Sequence, residues 1–198
     1  MKKTIKVLCL DTIPVIFGVL IALFIGDWKS DQDDKKYMER MIGVMKEEAK
    51  VNFDDLNEII PTHLRMIDTI SFYTNSGKAI PLVALFKKNE GFKLPGVDNR
   101  TWTAVINNRI ELVDFETLKL VNSIDGLKEV TAKKVDFIMN YVYDNMNEVT
   151  TESKETLRMH FLNLVESEIQ LFIIHGQFLG QDNVQTEWMQ DYGIEVAS

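Results

Sequence analysis

Cysteine is all but missing from this chain, with Cys9 the only one. One thiol closes no internal disulfide and offers no pair to clip a metal, so neither kind of staple holds the fold. The four residues "KVLC" also lack the small side chains that a lipoprotein signal carries before its cysteine. Proline (4) and glycine (10) are scarce, and the long stretches free of both point to helix. Basic clusters interleaved with aromatics are absent, and 30 acidic residues against 22 basic ones leave a net charge of -8. Such a surface repels phosphate backbones, which argues against nucleic acid as a partner.

Catalytic and metal-binding patterns are missing too. The 3 histidines are His63, His160 and His175. A carboxylate-bridged di-metal bundle places glutamate three residues before histidine, but Leu157 and Phe172 stand there, and no H-E-x-x-H occurs. No G-x-S-x-G, P-loop or dinucleotide fingerprint is present, and no serine–histidine pairing is visible. Glu47-Glu48 and Asp54-Asp55 read as solvated helix faces rather than acid–base pairs. The expectation is a protein that is not an enzyme, with no catalytic residue, cofactor or metal. Repeats, low-complexity tracts and strand patterns are likewise absent.

What is present begins with an apolar run, "VLCLDTIPVIFGVLIALFIG", from Val7 to Gly26. Its roughly 20 residues would span about 30 Å as a helix, the thickness of a bilayer core, with Asp11 its single charge. Counted from Thr12 it is about 15 residues and roughly 22 Å, short unless the flanks snorkel. Large apolar residues from Ile13 to Ile25 cover every face, whereas a soluble amphipathic helix keeps one face polar. "MKKTIK" would suit a secretory signal, but Leu23, Phe24 and Ile25 occupy the approach where small residues would mark cleavage. Trp28 fits the headgroup level. A retained anchor is therefore preferred over a cleaved signal or a buried core helix. Lys2, Lys3 and Lys6 precede the run, which favours the N-terminus inside and the bulk outside.

Beyond the anchor the pattern is helical. Residues 31–60 form one periodic segment, with Pro61 marking its expected end. "THLRMIDTISFYTNS" reads as a second helix and "AIPLVALFKKN" as a short third one with Pro81 in its first turn. "EGFKLPGVDNR" is a loop, followed by a short helix capped by Asn99 or Thr101. Long helices follow over 114–149, with Gly126 a candidate kink, and from Thr151 or Ser153 to Gly180. The boundaries are thus an anchor at 1–28, a helical-bundle domain at 29–180, and a tail at 181–198 that lacks period and is expected to fray. The fold class is all-α, an N-terminal transmembrane helix continuing into an antiparallel bundle of long helices.

Glu48 and Asn52 lie one turn apart on the apolar stripe of the first long helix. Polar groups buried there need partners, and "DNRTWT" offers Asn99, Arg100, Thr101 and Trp102. Trp102 reads as a core anchor for its helix. Met38, Met41 and Met45 form a ridge best read as core filling, with a partner surface second.

The anchor region resembles a family of uncharacterised single-span membrane proteins from Gram-negative bacteria, a domain of unknown function. The resemblance rests on Asp11, the Gly18-Val19-Leu20-Ile21-Ala22-Leu23 core and Trp28. "MIGVMKEEAKVNFDDL" and "RTWTAVINNRIELVDFETL" add to it. It covers roughly residues 11 to 120, and the chain departs from the pattern at Phe24 and Gly26, where polar residues are usual. The resemblance implies an inner-membrane, single-pass protein and no particular activity. Together with the bundle pattern it leads to the expectation of a binding, scaffold or assembly subunit in contact with the lipid bilayer and with a protein partner or a second copy. Asp11, Gly18 and Trp28 are the expected membrane or partner contacts. The alternative is an extracytoplasmic ligand-sensing bundle that signals through a partner.

Overall fold

The computed structural model describes the backbone of residues 2–89, 91–181 and 184–194, and side chains within them from Pro14 onward. Its elements are α1 (Lys2–Asn75), α2 (Leu82–Lys88), α3 (Arg100–Arg109), a 3-10 turn (Ile110–Leu112), α4 (Phe115–Asp144), α5 (Thr151–Phe178) and α6 (Glu187–Asp191). Among the described residues the chain is all-α. It divides into two compact units, Met1–Gly43 and Val44–Ser198.

The first unit is the leading part of α1, and Gly26 does not interrupt it. Its apolar side chains from Val15 to Trp28 are not buried: Val15, Ile16, Phe17, Val19, Leu20, Ile21, Leu23, Phe24, Ile25 and Trp28 are all exposed, Phe24 at 73%. Among the described residues no helix is long and apolar enough to cross a membrane. The expected span starts at Val7, and the side chains up to Ile13, including those of Cys9 and Asp11, lie outside the described residues. Gly18 and Gly26 stand in open space on this helix.

The second unit is a helical bundle in which the rest of α1 packs against α5 and α4. The pairings run antiparallel. Along α1 and α5, Asn52 meets His175, Phe53 stacks on Phe172, His63 meets Glu168, and Tyr73 meets Lys154. Along α4 and α5, Lys134 donates to the Asn163 carbonyl and Tyr141 donates to that of Ser153. Helix α5 is the central rod, buried on several faces from Ser153 to Phe178. Thr150 caps it, its hydroxyl accepting from the Ser153 N–H at 3.1 Å, one residue ahead of the caps read from sequence. Asp114 does the same for α4 through Thr117, at 2.9 Å. The turn between α4 and α5 also satisfies α2, whose Leu82 and Val83 N–H groups donate to the Glu148 and Met146 carbonyls.

Two sequence expectations change here. Pro61 was expected to end a helix, yet α1 runs through it. An interior proline costs about 3 kcal/mol. On either side of it Leu56, Ile59, Ile60, Leu64, Met66, Ile67 and Ile70 are all buried in the bundle. At roughly 1.5–3 kcal/mol per buried apolar side chain, their packing outweighs the proline several times over. The second change concerns the tail. Residues 184–194 include α6, with Val184, Trp188 and Met189 buried. The Trp188 indole N–H donates to Asn57 Oδ1 at 2.8 Å and the Tyr192 hydroxyl donates to Asp68 at 2.8 Å. One turn of helix has no readable period, but a tryptophan with a buried ring and a partner for its N–H docks it all the same.

Candidate functional site

The polar residues on α1 that face the bundle form a seam. Glu48, Asn52 and His63 occupy it at helical spacing, with apolar Leu56, Ile59 and Ile60 between. Each reaches across to an element that cannot satisfy its own backbone.

Glu48 serves α3. The N-cap residue of that helix, Asn99, makes no side-chain capping bond. Instead the Glu48 carboxylate accepts from the Thr101 N–H at 3.2 and 3.3 Å and from its hydroxyl at 2.6 Å. A carboxylate there satisfies an orphan donor and complements the positive end of the helix. Asn99 is thereby free for α4, its amide donating to Asp125 and its oxygen accepting from Lys128 at 2.6 Å. Trp102 is buried just beyond, on the same helix.

Asn52 serves residues 91–99, a non-helical strap between α2 and α3. Its Oδ1 accepts from the Asp98 N–H at 2.9 Å, and its Nδ2 donates to the Asp98 carbonyl at 2.8 Å. The second Nδ2 hydrogen points to His175 Nε2 at 3.3 Å. His175 Nδ1–H donates to the Leu171 carbonyl at 2.7 Å, so the ring is neutral, with a lone pair facing Asn52. Burial pushes its pKa below the ordinary 6.5, against a smaller opposing pull from the Leu171 bond.

His63 holds the other end of the strap. Its Nδ1 meets the Glu168 carboxyl at 2.9 and 3.0 Å, and its Nε2–H donates to the Lys93 carbonyl at 3.0 Å. The pair is sealed, with side-chain exposure of 2% and 0%. Phe92 and Phe161 lie against the imidazole at 5.1 and 5.8 Å, and Phe86 closes the aromatic cluster. Lys154 is a third buried polar group. Its ammonium donates to the carbonyls of Tyr73 and Lys78 at 3.2 and 3.0 Å, neutralising the C-terminal end of α1.

A cavity of about 20 Å³ lies where Glu48, Asn52, Asp98 and His175 converge, walled by Trp102 and Ile124. It has room for one water molecule. A larger cleft of about 500 Å³ opens between α1 and α5, lined by Leu64, Ile67, Leu162, Val165 and Ile169, with Asp68, Glu166 and Tyr192 among its polar lining residues. Burial and the bond to Asp68 push the Tyr192 hydroxyl up to about 12, so it stays neutral. Neither cleft is lined by His63 or Glu168. Among the described residues no group of three or more His, Cys, Asp or Glu side chains is placed to hold a metal.

Of the residues singled out from sequence, Glu48 and Thr101 meet directly, and Asn52 meets Asp98 rather than the four residues after it. Gly18 and Trp28 are exposed on the first unit, and Asp11 lies outside the described side chains. Met38 and Met45 are buried and Met41 is half-buried. His63, Glu168 and Lys154 were not singled out as a set. Glu168 nevertheless stands among Leu164, Val165, Leu171 and Phe172, and a charge on an apolar stripe is the signal that finds it. Comparison with known proteins returns no matching family model, no matching curated protein and no matching solved structure.

Proposed function

We propose that this chain is a single-pass protein of the bacterial inner membrane, its N-terminus cytoplasmic and its bundle periplasmic. It works as a non-enzymatic binding, scaffold or assembly subunit of a membrane complex. One observation carries the anchor: from Val15 to Trp28 the large apolar side chains are exposed around the whole helix. So much apolar surface is not stable in water and calls for lipid or protein around it. Residues from Val7, with Asp11, complete the length that the bilayer requires. The resemblance of the anchor to single-span membrane proteins supports the same reading. The buried seam supports the non-enzymatic part, because its ionisable groups are committed to backbone groups and to each other.

The test is extraction. The full chain is expected to stay with membranes through alkaline carbonate and to leave them only in detergent; release by carbonate would refute the anchor. On native gels, Asp11→Ala is expected to reduce the size of the detergent-solubilised assembly, because a carboxylate at the hydrocarbon edge is costly unless paired. An unchanged assembly would refute the partner role of Asp11.

The cleft of about 500 Å³ favours a second reading, a ligand-sensing bundle that signals through a partner. Its size and apolar walls with a few polar groups suit a small molecule. A thermal-shift screen against metabolites is expected to show dose-dependent stabilisation on that reading, and none on the scaffold reading.

A further inference from the structure

The two histidines that face the strap hold it with opposite hydrogen-bond polarity. At the Lys93 end, His63 is a donor at Nε2. At the Asp98 end, His175 is an acceptor at Nε2, by way of Asn52.

We propose that the strap, residues 91–99, is an acid-released latch: a charged His175 and a strap docked on Asn52 exclude one another. The Asn52 amide is fixed by the backbone of Asp98, which offers it one donor and one acceptor at 2.9 and 2.8 Å. Turning the amide over would set donor against donor and acceptor against acceptor. Its remaining N–H must therefore meet a lone pair on His175 Nε2. The ring cannot supply one from its other nitrogen, because Nδ1–H is committed to Leu171 at 2.7 Å. A proton arriving at Nε2 sets two donors face to face inside the bundle, and something must move. His175 sits on α5 with 1% exposure, whereas Asn52 is joined to a partly exposed, non-helical segment. The strap is the part that yields.

The charged groups around His175 are engaged elsewhere. From α1 Glu48, and from the strap Asp98, line the same small cavity. Each is tied elsewhere, Glu48 to Thr101 and Asp98 to Arg100, so neither is bonded to the ring. Helix α4 presents Val121 and Ile124 to the cavity, with Asp125 and Lys128 held away on Asn99. The next residues after α5 contribute Val184, which abuts Gly176. Burial already disfavours the charged ring, so the latch is fully closed above the ordinary imidazole value of 6.5 and loosens as pH falls below it. The other end has no such conflict of donors, since the His63 Nε2–H faces the Lys93 carbonyl, which only accepts. Release therefore starts at Asp98. It would let water past the strap, which also walls an outer cleft of about 270 Å³ with Leu94, Pro95 and Val97.

Amide hydrogen exchange on the full chain in mild detergent tests this, at pH 7.5 and 5.0, with rates corrected for intrinsic chemistry. Peptides covering 91–99 are expected to exchange about tenfold faster at pH 5.0 while α5 peptides are unchanged. His175→Gln, which keeps an acceptor for Asn52 but cannot titrate, is expected to abolish the difference; His63→Gln is expected to retain it. Equal strap protection at both pH values would overturn the latch, as would parallel loss across α4 and α5, or a response that survives in His175→Gln or vanishes in His63→Gln. The wild-type contrast between strap and α5 decides the matter if a variant does not fold.

Discussion

One helix carries two stretches with inverted burial. In α1, Val15 to Trp28 are apolar and exposed, whereas Asn52 and His63 are polar and have 2% and 1% exposure. Hydrophobicity alone would place both sets the other way round. The difference teaches that burial on this helix follows the available partners. The polar seam is inside because Thr101, Asp98, Lys93 and Glu168 meet it with donors and acceptors of the right sense. Among the described residues the apolar stretch has no such company, and on the proposed reading lipid or a partner surrounds it.

The largest expected effect breaks the inner half of the comparison. Glu168→Ala leaves the His63 ring buried without its carboxylate and should cost about 3–5 kcal/mol in denaturant unfolding. Replacing both partners, His63→Leu with Glu168→Leu, should recover most of that loss, because an apolar pair needs no counter-charge. Next comes Gly176→Ala. A Cβ there would lie 2.3 Å from Val184 Cγ2 and 3.3 Å from a Phe53 ring carbon. The valine is short and branched and cannot swing clear, so the loss should be about 1–3 kcal/mol. Trp188 fluorescence should report the displaced 184–194 segment.

Asn52→Ala should cost about 1–2 kcal/mol, less than Glu168→Ala, because water can reach the freed Asp98 backbone at the strap edge. Exchange at 91–99 should rise at neutral pH, without acid. Glu48→Gln is the mildest, about 0.5–1 kcal/mol, since the amide oxygen still accepts from Thr101 but no longer brings a charge to the start of α3. Outside the bundle the comparison sharpens in the opposite sense. Leu20→Asp should leave unfolding of the second unit unchanged and weaken membrane association. A substitution that unfolds the bundle from position 20 would show that the two stretches share one environment after all.

The sequence made parts of this legible and hid others for physical reasons. Periodicity over three and four residues placed α4 and α5, since packed helices write their buried face into the chain, while Pro81 and the Pro95-Gly96 pair marked α2 and the loop before α3. Glu48 and Asn52 stood out because polar residues on an apolar stripe must find partners nearby. His63 belongs to the same stripe, but Pro61 read as a helix end and cut the stripe before it reached position 63. Its partner Glu168 is 105 residues away, a separation that no spacing rule encodes. The sense of each bond, which makes His63 a donor and His175 an acceptor, depends on strap geometry and appears only when the strap is in place. Helix α6 was hidden for a simpler reason: it is held by Trp188 and Tyr192 reaching α1, not by any pattern of its own.

The central claim is that the exposed apolar stretch of α1 faces lipid, and a nitroxide at position 20 tests it most directly. In a Cys9→Ser background, Leu20→Cys is labelled and the full chain reconstituted in liposomes, and collision rates with oxygen and a water-soluble nickel chelate are compared. The account predicts oxygen access well above that of the chelate, the mark of hydrocarbon. Chelate access equal to or above that of oxygen would contradict it, as would a label shielded from both.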